Sequence, residues 1–237
     1  MGSREHPGAE LRARIARAGV EERTLPLSPL LHEDRARLFQ GCIDLLCARA
    51  GTIAHLSGMS RGSGRWHLEI LVKDGYVDLW DTAFGTRYAP CGAVSDSEMA
   101  KVLSLLLSPG CAKAVAAVSA SPGITTKEVQ SPRTLPQLER TGLLHSVRDG
   151  RAVRWYSGEN LILLHRAVEA GRARFLSRLI ELLEQHRVGY SLSETRPLLS
   201  IDLHSPYGPW NFGVPSDLLA SALSRHTILC KSSRHYL

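Results

Sequence analysis

One pattern occurs twice in this chain, and the repetition restricts its fold more than any bulk property does. In the first copy, Trp66-His67-Leu68-Glu69-Ile70-Leu71-Val72-Lys73 sets Leu68, Leu71 and Val72 at i, i+3 and i+4, one apolar face of a helix. Gly75 stands where a helix C-cap takes glycine, and Tyr76-Val77-Asp78-Leu79-Trp80 reads as a strand. In the second copy, Leu135, Leu138 and Gly142 take the places of Leu68, Leu71 and Gly75. Leu144 to Arg148, an Asp149-Gly150 turn and Arg151 to Tyr156 follow; Asp-Gly between alternating runs is a strong hairpin signal. Arg87-Tyr88 and Trp155-Tyr156 close the two hairpins at matching places. A supersecondary unit repeated in this way implies a duplicated module.

The flanking segments complete each unit. Leu38, Ile43, Leu45, Leu46 and Cys47 give one helix, Thr52 to Leu56 a second, and Gly58-Met59-Ser60 the turn before the helix described above. The first hairpin has its loop at Asp81 to Gly85 and its second strand at Thr86 to Ala89. In the second unit, Met99 to Leu107 and Cys111 to Ala120 are apolar helices, and Thr126 to Val129 a short one. Pro136 would cost about 3 kcal/mol in a helix interior, so the helix must begin near Thr134 or Leu135 and be short. Gly62 and Gly64 each weaken the start of the first-copy helix by up to about 1 kcal/mol, so its first turn is expected to be loose until a partner orders it.

Five segments are expected. Residues 1–33 form a partly ordered arm, with a short helix at Leu11 to Arg17; 34–92 and 95–157 are the two units; 158–188 is a long helix; 189–237 is a C-terminal extension. Leu161, Leu164, Val168, Phe175, Leu179 and Leu182 form a stripe on the long helix, interrupted by Gly171, that suits a dimer seam or packing on its own chain. In the extension, Arg196 to His204 reads as a strand, Ser205 to Gly213 as an aromatic-rich loop, and Ser216 to His226 as a helix capped by Ser216. This segment is a candidate surface for a protein partner.

Charge points to a polyanionic partner. The net charge is +6, the sequence pI is about 9.3, and the basic side is mostly arginine. Guanidinium groups suit bidentate contacts to phosphate and guanine. The five cysteines are odd in number and contain no Cys-x-x-Cys pair, which argues against a disulfide framework and for a cytosolic chain. No apolar run approaches the roughly 20 residues of a membrane span. A soluble, cytoplasmic and nucleoid-associated protein without membrane contact is expected. No glycine-rich phosphate loop, His-Glu-x-x-His motif or nucleophile in a known setting occurs, and no zinc-ligand spacing. The reading therefore expects no enzyme, no cofactor and no metal.

Trp66-His67-Leu68…Leu71…Asp74-Gly75-Tyr76-Val77 in the first copy resembles prokaryotic winged helix-turn-helix transcriptional regulators of the MarR/ArsR type. So do Pro122-Gly123-Ile124-Thr125, Leu138…Gly142-Leu143-Leu144 and Asp149-Gly150-Arg151…Arg154-Trp155-Tyr156 in the second. The chain looks most like archaeal-type proteins with two such domains in tandem. The resemblance covers about residues 35–160. It implies a mainly α fold with small β-hairpin wings, double-stranded DNA as partner, and a homodimer.

The candidate DNA-binding residues follow from these placements. Ser60, Arg61, Ser63, Arg65 and His67 lie on the outer side of the first recognition helix, with Lys73 at its end. Arg87 lies in the first wing, Arg133 before the second helix, and Arg148, Arg151 and Arg154 on the second wing, where they suit phosphate or minor-groove contact. The competing reading is a scaffold or protein-interaction module in a chromosome or transcription complex, its basic helices facing protein; RNA binding is a third.

Overall fold

A computed structural model of the chain describes residues 28–204 and 210–232. The expected arm up to residue 27, the stretch 205–209 and the side chain of Cys230 lie outside them. A 3-10 turn at Pro29–Leu31 leads into α1 (Glu33–Leu45), α2 (Ala50–Leu56), α3 (Arg61–Lys73) and the hairpin β1 (Val77–Thr82) and β2 (Gly85–Pro90). Then come α4 (Ser97–Leu106), α5 (Pro109–Ala120), the short β3 (Ile124–Thr125), α6 (Leu135–Arg140) and the hairpin β4 (Leu144–Asp149) and β5 (Ala152–Ser157).

The two glycines matched by the repeat perform the same task. At the end of α3, Tyr76 N–H donates to the Leu71 carbonyl and Gly75 N–H to that of Val72; Gly75 has φ +79°. At the end of α6, Leu143 N–H donates to Leu138 and Gly142 N–H to Glu139, with Gly142 at φ +67°. Both are Schellman closures, which place a left-handed residue just past the helix. Pro136 sits in the first turn of α6, and the helix has only 6 residues. In the second hairpin Asp149 pairs with Ala152, so the turn residues are Gly150 and Arg151, one step later than the Asp-Gly reading. Gly150, at φ +59°, holds the position where a type II′ turn takes glycine.

A mainly α architecture of two tandem winged helix-turn-helix domains with a trailing extension does not describe this structure. About 54% of the described residues are helical and about 24% lie in strands, in three small sheets. The third sheet comes from the segment read as an extension: β6 (Gly189–Thr195), β7 (Leu198–His204) and β8 (Trp210–Pro215), antiparallel in the order β6-β7-β8. It follows α7 (Glu159–Gln185) and precedes α8 (Leu218–Ser232). The Asp217 carboxylate, not Ser216, caps α8 by accepting from Ala220 N–H.

The physical reason for the correction is a shared core. Phe39 of α1 meets the rings of Tyr76, Phe175 and Phe212 at centroid distances of 6.0, 6.1 and 5.3 Å. One buried side chain thus joins the first unit, the long helix and the third sheet. α8 packs on both α1 and α5, bridging the two units. Gln40 of α1 holds β8 through both amide atoms: its Nε2 donates to the Gly213 carbonyl and its Oε1 accepts from Gly213 N–H, each at 2.9 Å.

The α7 stripe from Leu161 to Leu182 is buried inside its own chain and not offered as a dimer seam. Gly171, read as an interruption, is what allows this. A Cβ there would lie 2.0 Å from the Ala93 carbonyl oxygen, so only glycine lets α7 approach that backbone. Among the described residues no single helix is long and apolar enough to cross a membrane. α4 and α5 together have the length and composition, but they bend by 79° and carry core residues such as Leu103, Leu106, Val115 and Val118.

Candidate nucleic-acid interface

α3 divides sharply into two faces. Gly64, His67, Leu68 and Leu71 are buried, whereas Arg61, Ser63, Arg65, Trp66, Glu69 and Lys73 are exposed. The inner face is set by close contact with α2. A Cβ on Gly64 would fall 2.4 Å from the Ala54 Cβ, so the glycine is the contact point of the two helices. Gly62 has nothing within 4 Å of such an atom. The first turn is formed, because Ser60 caps it: its hydroxyl oxygen accepts Ser63 N–H at 3.2 Å. Ser60 is therefore a structural cap first.

The cations of the outer face differ in freedom. Arg61 and Lys73 make no ion pair among the described residues. Arg65 donates from Nε to Glu69 at 3.0 Å, an exposed pair of the kind worth about 0–1 kcal/mol, which a phosphate can displace. Trp66 stands 59% exposed between them, the most exposed large apolar side chain among those described and one whose place in the sequence did not mark it as a site. Its indole packs edge-on against His67 at 4.6 Å.

Two predicted contact residues are not on the surface. His67 is buried, its Nε2 3.6 Å from an Asp34 carboxylate oxygen and its ring 5.1 Å from that of His32. Burial, reinforced by His32, holds its pKa below the usual 6.5. The helix rotation that buries Leu68 and Leu71 carries His67 inward with them, so it supports α3 and does not face a groove. Arg87 is also buried: its Nε donates to the Ser104 hydroxyl of α4 at 3.0 Å. Its register partner in β1 is Trp80, and α4 covers that face of the hairpin. Burial lowers the guanidinium pKa.

On the second hairpin the register resolves which arginines are free. Arg148 pairs with Val153 and Arg154 with Val147, so the two arginines project from opposite faces. Arg154 is held by its own unit, donating from Nε to Asp149 at 2.6 Å and from Nη1 to the Gly123 carbonyl at 3.1 Å. Arg148 and Arg151 are exposed, as is Arg133 in the 3-10 turn Pro132–Thr134 ahead of α6. Arg49, absent from the sequence-derived set, joins the start of α2 to the first hairpin by donating to the Phe84 carbonyl at 2.8 Å. It reads in sequence as the tail of α1, and nothing local marks it.

Cys42, Cys47, Cys91 and Cys111 are buried free thiols. Burial pushes Cys47 up to about 11 and Cys91 up to about 12, so both are protonated at neutral pH. Among the described residues no three His, Cys, Asp or Glu side chains converge as a metal-ligand set.

No protein-family model and no curated protein matches the sequence. Two solved structures show low similarity. One is human N-acetylserotonin methyltransferase in complex with SAM, with TM-score 0.24, 16% identity, and coverage of 77% of this chain and 48% of that one. The other is a candidate transcriptional regulator from Rhodococcus sp. RHA1, with TM-score 0.20, 15% identity, and coverage of 83% and 96%. The chain spans about half the length of the methyltransferase. The second of these proteins is of the regulatory kind that the motifs suggest; the finer resemblance to MarR/ArsR-type regulators has no family match behind it. The first is an enzyme, which runs against the expectation of a chain without chemistry, and that expectation is withdrawn. TM-scores of this size assign neither a fold nor an activity to the chain.

Proposed function

We propose that the chain is a regulator of transcription that binds double-stranded DNA, with the exposed face of α3 in the major groove and Arg148 and Arg151 on the backbone. The two-sidedness of α3 carries this reading. The helix is clamped from behind at Gly64, His67, Leu68 and Leu71, while Arg61, Ser63, Arg65 and Lys73 stand outward, and among the described residues no carboxylate holds Arg61 or Lys73. Arginine at these positions can take guanine O6 and N7 or a phosphate, and the surplus of +6 charges favours encounter with a duplex. The homodimer is proposed separately. It would need a contact other than the buried α7 stripe, and sedimentation equilibrium measures it.

Fluorescence anisotropy on a labelled duplex across a salt series tests the DNA reading. Affinity should fall steeply with salt. Arg61→Ala with Arg65→Ala should flatten the slope by roughly 1 for each phosphate that the arginines neutralise. Where one of them reads a base, its removal should also cost about 1–3 kcal/mol at one position of the preferred site. Unchanged binding by the double variant would remove α3 from the interface.

A further inference from the structure

Arg87, which the sequence places on DNA, lines a cavity instead. The cavity, about 730 Å³, lies where the starts of α2 and α3, the tip of the first hairpin, the α4–α5 junction and α8 come together. That volume suits a small organic molecule. Its walls carry Arg49, Arg61, Arg87, His55 and His226 and, among the described residues, no aspartate or glutamate.

The charge in this cavity is uncompensated. Arg87 is 7% exposed, and its sole hydrogen-bond partner among the described residues is the Ser104 hydroxyl. Its Nη1 is buried without a partner, and the side chain makes no ion pair. Arginines at this depth are almost always paired, because a guanidinium withdrawn from water needs an anion or a full set of acceptors. A second donor group faces the same space. Ser108 and Pro109, the cap and first residue of α5, line the cavity, and the Ser108 hydroxyl makes no capping bond. The Ser108 hydroxyl is thus a second donor in the cavity wall, at the start of this helix of 12 residues. Leu107 and Phe84 supply apolar wall beside these donors. Arg87 lies too deep for the backbone of a rigid duplex, whereas the volume and the mixed polar and apolar wall suit a small molecule.

We propose that this cavity binds a small organic acid, its carboxylate or phosphate head on Arg87 and the Ser108 hydroxyl, and its apolar body against Leu107 and Phe84. Arg61 links the site to α3, because it lines the cavity and also belongs to the exposed face of that helix. Resting on the DNA-binding reading above, an occupant that recruits Arg61 removes it from the duplex, so acid and DNA compete.

Isothermal titration of the full chain with benzoate, phenyl phosphate and the neutral benzamide tests the site without any DNA. At least one anion should bind tenfold more tightly than benzamide, and Arg87→Met should weaken it at least tenfold. The same variant should melt no lower than the parent, since it fills the volume and removes an unpaired charge; an arginine serving only structure would lower the melting point. Arg87→Lys keeps the charge but loses the bidentate fork, and should weaken phenyl phosphate at least threefold. Benzamide binding as well as both anions, no binding by either anion, or equal binding by both variants would overturn the proposal. In a second arm, the tighter anion should lower duplex affinity at least fivefold. Absence of duplex binding altogether would defeat the DNA reading and leave the titration to decide the cavity.

Discussion

Gly62 and Gly64 occupy the same helical turn, yet replacing each by alanine should move stability in opposite directions. At Gly62 an added methyl meets nothing within 4 Å, so the exchange should stabilise α3 by about 0.5–1 kcal/mol through backbone entropy. At Gly64 the same propensity gain applies, but the new Cβ would lie 2.4 Å from the Ala54 Cβ and 3.3 Å from its Cα. A backbone-borne methyl has no rotamer by which to escape, so α2 and α3 must separate. Overpacking of this kind costs about 1–3 kcal/mol, which gives a net loss of roughly 0.5–2 kcal/mol and a gap of about 1–3 kcal/mol between the two variants. Urea denaturation followed by circular dichroism resolves that gap, and a melting point would shift by about 2–4 °C per kcal/mol in a chain of this size. If Gly64→Ala stabilises as much as Gly62→Ala, the close crossing of α2 and α3 is wrong, and so is the clamp that orients Arg61 and Arg65 outward.

Two further outcomes follow from the core and from one ion pair. Phe39→Ala should lose roughly 3–5 kcal/mol and still unfold in a single transition, because its ring touches Tyr76, Phe175 and Phe212 in three different parts of the chain. Two separate transitions by calorimetry would show independent domains. His165 Nε2 donates to the Asp217 carboxylate at 2.9 Å, and that hydrogen bond raises its pKa above the ordinary 6.5. A raised folded-state value means that its contribution is complete below pH 6.5 and disappears as pH rises through the folded pKa. Asp217→Asn should therefore lower the urea midpoint at about pH 5.5 and leave it nearly unchanged at about pH 9, with the cap of α8 retained by the amide; an equal loss at both values would refute this assignment.

The parts legible in the sequence are those governed by local chemistry. Gly75, Gly142 and Pro136 act through their own backbone torsions, so helix ends and the shortness of α6 follow from residue type. The alternating runs around Gly150 gave the second hairpin, although strand pairing moved its turn by one residue. Inside and outside were harder. His67 and Arg87 carry polar labels that a pattern assigns to solvent, but His67 shares the arc of Leu68 and Leu71, and Arg87 is covered by α4 through Ser104, a contact no spacing reveals. Gly64 and Gly171 read as weaknesses because their partners, Ala54 and Ala93, lie on other elements. Of the third sheet only β7 was legible, as the run Arg196 to His204; β8 begins inside the stretch read as a loop, β6 is almost wholly exposed, and the sheet buries few side chains, chiefly Ile201, Leu203, Phe212 and Val214. Its apolar signal is thin, and its hold on the molecule comes from the distant Phe39 and Gln40.

That hold has a consequence for how the chain is made. α1 leaves the ribosome well before two of its neighbours, β8 and α8. Until they arrive, the surface around Phe39 and the side-chain amide of Gln40 lack the partners found at Phe212 and Gly213. Folding by completed domains during synthesis is therefore closed to this protein. Its N-terminal half must wait, incompletely covered, for the C-terminal segment to reach it. A nascent chain stalled before β8 should engage holdase chaperones that the released protein does not.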